Sequence, residues 1–162
     1  MQSVHVKVLE ATEACGELRR YVSESAEPAQ LALAEGVDNG VRYDPLLDLG
    51  QADWQASPAG AIFVVGIELE AGHEDDFEGW YNTEHLPALA RVPGVNRAVR
   101  YRKAPGQGES PDYPEYLALY DVQSLDIPGN PDWKNAVETP WTQQLRPHFK
   151  ARWRGGYRLA DD

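Results

Sequence analysis

Between positions 80 and 85, Trp80, Tyr81, Asn82, Glu84 and His85 bring an indole, a phenol, an amide, a carboxylate and an imidazole together. Tyr81 and His85 are four apart and share a helix face, with Trp80 and Glu84 in a neighbouring row. A neutral imidazole can take a proton near neutral pH, and an adjacent carboxylate or phenol can fix its tautomer. The residues fit general acid/base chemistry: His85 moves the proton, Tyr81 donates to a developing oxyanion, and Glu84 orients the ring. They equally fit a bland reading, with His85 a satisfied core histidine and Glu84 a helix-cap or interface partner.

Further candidates lie downstream. In the run Arg97 to Lys103, alternation puts Arg100 and Arg102 on one face. Arg100 is the candidate for a bidentate hold on a substrate carboxylate or enolate, against a null in which these cations pair with the chain's many acidic groups. Tyr116 and Tyr120 share one face of a later strand, and Trp133, Trp141, His148, Phe149, Trp153 and Tyr157 follow. Such side chains can line a flat apolar pocket, or simply form core. The candidate substrate contacts are therefore Trp80, Asn82, Arg100, Tyr116, Tyr120 and Trp141. No metal site is expected, because His5, His73, His85 and His148 have no close ligand spacing. No phosphate loop, nucleophile elbow or haem-attachment motif is present, so no cofactor is expected.

The element that must position the first group is a helix over 75–92. Asp75 and Glu78 have capping-box spacing. Phe77, Tyr81, His85, Ala88, Leu89 and Val92 recur at steps of three and four, and Pro93-Gly94 closes the helix. Pro87 frees the Thr83 carbonyl and is expected to bend the axis, leaving room beside His85. Strands are expected over 62–70, 96–103, 115–123 and 151–159, with short helices over 131–137 and 140–145, the second with Thr139 as cap. Gly155-Gly156 marks a bulge or a close backbone approach. The order β-α-β-β-α-β is ferredoxin-like.

The series Phe77-x-x-Trp80-Tyr81-Asn82-x-Glu84-His85-x-Pro87, then Val92-Pro93-Gly94-Val95 and Tyr116-Leu-Ala-Leu-Tyr120, resembles the EthD-like branch of the dimeric α+β barrel superfamily. That resemblance covers roughly 61–159. It implies a homodimer in which a second subunit covers the open sheet face, and a histidine placed near a cavity. The superfamily includes cofactor-free monooxygenases, isomerases and haem-handling enzymes.

The first third lies outside the resemblance. It reads β-α-α-β, with a strand over 3–9, helices over 16–24 and 29–34, a turn over 36–40, and a strand or extended arm over 41–49. A linker is expected over 50–60. The division is thus 1–58 as an N-terminal extension or degenerate half-repeat and 59–162 as the ferredoxin-like unit, in one compact α+β whole. Across 162 residues, 15 basic and 26 acidic side chains give a net charge of −11. That excludes nucleic acid and anionic membrane as natural partners. Cys15 is the sole cysteine, so no intrachain disulfide forms and a cytoplasmic setting is expected. The functional expectation is a cofactor-independent enzyme acting on an aromatic or ketone-bearing small molecule, by isomerisation, dehydration, cyclisation or decarboxylation. The alternatives are a non-catalytic binding or accessory protein, and an oxygen- or haem-dependent oxygenase of the same fold.

Overall fold

The computed structural model describes residues 2–10, 16, 18–26, 28–35, 40–50, 61–107 and 112–160. Its strands are β1 (Val4–Val8), β2 (Arg19–Val22), β3 (Gln30–Glu35), β4 (Val41–Gly50), β5 (Ala61–Leu69), β6 (Val95–Lys103), β7 (Tyr116–Val122) and β8 (Phe149–Leu159). Helices α1 (Glu74–Trp80) and α2 (Leu86–Ala90) flank a π-helical turn (Tyr81–His85), and α3 (Pro131–Val137) and α4 (Pro140–Leu145) precede β8. The described helices are all too short or too polar to cross a membrane.

The second half of the chain follows the expected order, and the reason lies in its strands. In β5, Ile62 and Val64 alternate with Ala61 and Phe63, and all four are buried. In β7 every residue is buried. Strands apolar on both faces need cover on both. The helices supply one cover: Phe77, Trp80, Tyr81, Leu86 and Leu89 pack on Ala61, Phe63, Ala98, Ala118 and Tyr120. The other face of the sheet carries Ile62, Val64, Val99, Tyr101, Leu117 and Leu119.

That second face is covered from within the same chain. The strands form one closed barrel in the order β1-β3-β2-β8-β5-β7-β6-β4, with β4 returning to β1. All the pairings are antiparallel. Val4, Val6, Tyr21, Leu31, Leu33, Val41 and Tyr43 from the N-terminal strands meet the inner face of the C-terminal four. The expectation that a second subunit would close the barrel is corrected accordingly: β1–β4 occupy that role. Two helices expected in this region are corrected as well. Residues 16–24 contain strand β2 and 29–34 form most of β3. Leu31-Ala-Leu-Ala34 has good helix formers but a period of two, with Leu31 and Leu33 inside the barrel and Ala32 and Ala34 in an outer cluster with Leu9 and Leu18. Pairing on both edges, with β1 and with β2, decides for strand over intrinsic propensity.

Smaller features follow local chemistry. Val41 to Gly50 is a paired strand, bulged between Pro45 and Leu47, and not a loose arm. The capping box does not form: His73 occupies the cap position without a side-chain bond, and Glu74 turns back to accept from the Gly72 N–H. Asn130 and Thr139 do cap α3 and α4. The close approach expected at Gly155 is real, since a Cβ there would stand 2.4 Å from the Ala26 Cβ. Cys15, most of the 36–40 turn and the 51–60 linker lie outside the described residues.

Intrachain closure makes a prediction. A chain beginning at residue 59 exposes the inner faces of β5–β8 and is expected to self-associate or precipitate, checked by light scattering after size exclusion. A well-folded monomeric fragment would show that β1–β4 do not provide the cover.

Candidate active site

Pro87 sets the local geometry. It has no N–H for the carbonyl four residues back, and the chain answers with a π turn in which the Leu86 N–H donates to the Tyr81 carbonyl, five residues back. The expected bend is realised as this widened turn. In a regular α-helix, residues five apart are rotated about 140° from each other. The wider turn closes that gap, and His85 stacks on Trp80 with ring centroids 4.1 Å apart and planes 21° apart. Tyr81 meets the same imidazole edge-on at 5.1 Å. Such π segments recur at functional sites.

Trp80 is itself fixed. Its indole N–H donates to Thr142 Oγ1 at 3.0 Å. Thr139 Oγ1 lies 3.0 Å from that oxygen and donates to the Glu84 carboxylate at 2.7 Å. Glu84 thus ties the helix to the start of α4 and does not orient His85. The imidazole Nδ1 is buried with no hydrogen-bond partner.

His85 lines a cavity of about 80 Å³ between the helices and the outer sheet face. Phe63, Trp80, Tyr81, Tyr120, Trp133 and Phe149 give it aromatic walls, and two guanidiniums reach it, Arg154 and the half-exposed Arg146, which is paired with Glu138 at 2.7 Å. The Tyr120 hydroxyl is buried beside the Tyr81 phenol, with which it interacts without a well-aligned hydrogen bond, and His85 Nδ1 is buried with no hydrogen-bond partner. The Tyr81 and Tyr120 phenols are near neighbours that interact electrostatically. Burial raises the pKa of both, Tyr120 strongly, so both stay protonated. Burial, reinforced by Arg154 and Arg146, lowers the His85 pKa to about 3. The imidazole is therefore neutral across the physiological range and a weak base. The cavity holds a few water volumes.

Of the residues expected from sequence, the structure brings Trp80, Tyr81, His85 and Tyr120 together at this cavity. Trp133 and Phe149 of the aromatic group also line it, and the remaining candidates lie elsewhere. Arg100 is almost fully buried, but its guanidinium holds the Glu78 carboxylate at 2.5 and 2.9 Å and Asn82 Oδ1 at 3.0 Å. It also lies over the Tyr81 ring, 4.7 Å from the centroid. Arg100 and Asn82 thus lock α1 and the π turn onto β6. Tyr116 packs on Phe77 at 5.0 Å, in reach of Arg100 and Arg102. Trp141 donates to Asp76 at 3.0 Å on the outside of α1. Phe63, Arg146 and Arg154 were not singled out from sequence. A signal existed for Arg154: Trp153 and Tyr157 face the barrel interior, which turns Arg154 to the helix side of β8.

No protein-family model matches the chain, and no curated protein matches it in sequence. Solved structures do match over its whole length. An uncharacterised ferredoxin-fold protein from Listeria monocytogenes 4b F2365, described as related to antibiotic biosynthesis monooxygenases, aligns with a TM-score of 0.65 at 14% identity. That alignment covers 100% of this chain and 96% of that one. A monooxygenase-like protein from Listeria innocua gives 0.63 at 12% identity over 100% and 95%. A heme-degrading enzyme from Listeria monocytogenes gives 0.59 at 12% over 98% and 100%. The fold is ferredoxin-like. At these identities the likeness carries architecture and no reaction, and the sequence resemblance narrows only to this broad group.

Two outcomes are expected. Glu78→Ala leaves the Arg100 cation buried and half-satisfied and is expected to cost about 3 kcal/mol in chemical denaturation, more than Arg100→Met. The reverse order would mean that Arg100 is not held by Glu78. For His85, the unfolded pKa near 6.5 lies above the folded value of about 3. Its contribution to stability is present above pH 6.5 and is lost as pH falls towards 3, because the unfolded chain takes up a proton the folded one refuses. His85→Leu is expected to flatten the slope of stability against pH between 6 and 4 by up to about 1.4 kcal/mol per pH unit. An unchanged slope would place the imidazole in contact with water.

Proposed function

We infer that this chain is a cofactor-independent enzyme that moves a proton on a compact, acidic ketone or phenol. The observation that carries the reading is His85, whose Nδ1 is buried with no hydrogen-bond partner, standing beside the Tyr81–Tyr120 phenol pair in the wall of one aromatic-lined cavity. Buried polar groups are rarely left unsatisfied, and a neutral imidazole without a partner beside a cavity is suited to take a substrate proton. The resemblance of the 77–87 series to EthD-like proteins supports a site at this histidine, and the monooxygenase-like names of the fold neighbours support small-molecule chemistry in this architecture.

In the proposed cycle, Trp80 and Trp133 flank the substrate and exclude water. The Tyr120 hydroxyl donates to the substrate oxygen. His85 takes the proton from the adjacent carbon or hydroxyl, and the resulting enolate or phenolate lies within the field of Arg154 and Arg146. After burial, the same two cations disfavour the imidazolium. An anion forming between them offsets that repulsion, so the base strengthens as charge develops on the substrate. Return of the proton to another carbon gives isomerisation; attack of the enolate carbon on an internal carbonyl, whose oxygen takes the proton from His85, gives cyclisation; expulsion of a β-hydroxyl, protonated by His85 as it leaves as water, gives dehydration. The cavity volume favours a single-ring or smaller substrate unless its walls move.

The experiment is a panel of small β-dicarbonyl compounds and phenols, read by deuterium exchange at the acidic carbon in D₂O. Catalysed exchange is expected for at least one member. His85→Gln should reduce its rate ~10²–10⁴-fold, as for loss of a general base, with Tyr120→Phe reducing it less. Binding of a panel member with no exchange above background would replace the enzyme reading with that of a binding protein. Exchange untouched by His85→Gln would remove His85 from the mechanism.

A further inference from the structure

Glu70, His73 and His148 are far apart in sequence but meet at the surface where β5 ends, α1 begins and β8 starts. Each offers a ligand atom, and the three atoms lie within 4.8 Å of one another. The backbone there is fixed: the Glu70 N–H donates to the His148 carbonyl at 2.8 Å, and the Phe77 N–H to the His73 carbonyl at 2.9 Å. His148 Nδ1 lies 3.0 Å from a Glu70 carboxylate oxygen, and the His73 and His148 rings stack at 3.8 Å with planes 15° apart. The cluster stands apart from the cavity, though Phe149, next to His148, contributes to the cavity wall.

We propose that Glu70, His73 and His148 form a binding site for a borderline divalent cation of the zinc type. Two imidazoles and one carboxylate are a donor set suited to zinc, nickel or copper(II) and poorly suited to magnesium or calcium. Three protein ligands leave a coordination position open to water. Stacked rings hold their nitrogen lone pairs in nearly parallel planes 3.8 Å apart, so capture requires one imidazole to turn. His148 is 37% exposed, so its ring is not locked in the core. A bound ion would clamp the end of β5 to the start of β8. Sequence spacing hid the site because only Glu70 and His73 are neighbours along the chain.

The test is calorimetric titration of ZnCl₂ into the full, untagged chain, beside ¹H–¹⁵N spectra of the imidazole nitrogens. One saturable site is expected, with the His73 and His148 resonances shifting and that of His85 unmoved. His148→Ala and His73→Ala should each weaken binding at least tenfold, since even outer-shell changes at metal sites cost ~10–100-fold. MgCl₂ should give no saturable binding. Zinc should raise the thermal midpoint of the parent chain and not of the two variants. Absence of saturable zinc binding, or binding that survives His148→Ala, would overturn the proposal; the second result would locate the ion on other acidic groups.

Discussion

A four-stranded sheet with apolar residues on both faces must be buried on both, and most of this structure is an answer to that requirement. On β5 and β7 nearly every side chain is withdrawn from water. At ~25 cal/mol per Å² of apolar surface, neither face can be left open in a domain of this size. Helices take the outer face and the N-terminal strands take the inner one. The two covers differ in kind. The inner cover is a continuous barrel with strand edges paired all round, which also removes the exposed edges that invite aggregation. The outer cover is a set of short helices that leaves a cavity, and the chemistry-bearing groups collect there.

The cavity depends on how the first helix handles Pro87. Widening to a π turn satisfies the Tyr81 carbonyl through the Leu86 N–H and brings His85 alongside Trp80. Around that ring, polar groups are held firmly: Trp80 by Thr142, Glu84 by Thr139, and Arg100 by Glu78 and Asn82. Against this background of satisfied partners, His85 Nδ1 is buried with none. Its residue lines the cavity.

Electrostatics set the character of the site against that of the whole molecule. The chain carries a net charge of −11, yet the charged groups lining the cavity are Arg146 and Arg154. A strongly acidic surface repels small anions at long range, whereas Arg154, with Arg146 offset in part by its ion pair to Glu138, favours one that arrives close to the low-dielectric cavity. Burial first, and those cations after it, hold the imidazole neutral.

Sequence by itself determined the elements of the second half, because their signals are local. The period of two in β5 to β8, the asparagine and threonine caps of α3 and α4, and Pro93-Gly94 at the helix end each act within a few residues. It also picked out Trp80, Tyr81, His85 and Tyr120, since an imidazole in an apolar stripe beside a proline is unusual. What it missed depends on residues brought together from afar. Leu31 to Ala34 is strand because β1 and β2 pair with it, a fact absent from its own composition. Glu84 lost its expected role to Thr139, Arg100 lost its own to Glu78, and Arg154 gained one through the register of β8 on β5. Glu70 and His73 acquired His148 in the same way. Local propensity is written residue by residue; partnership between distant side chains exists only once strand register and barrel closure have fixed their distances.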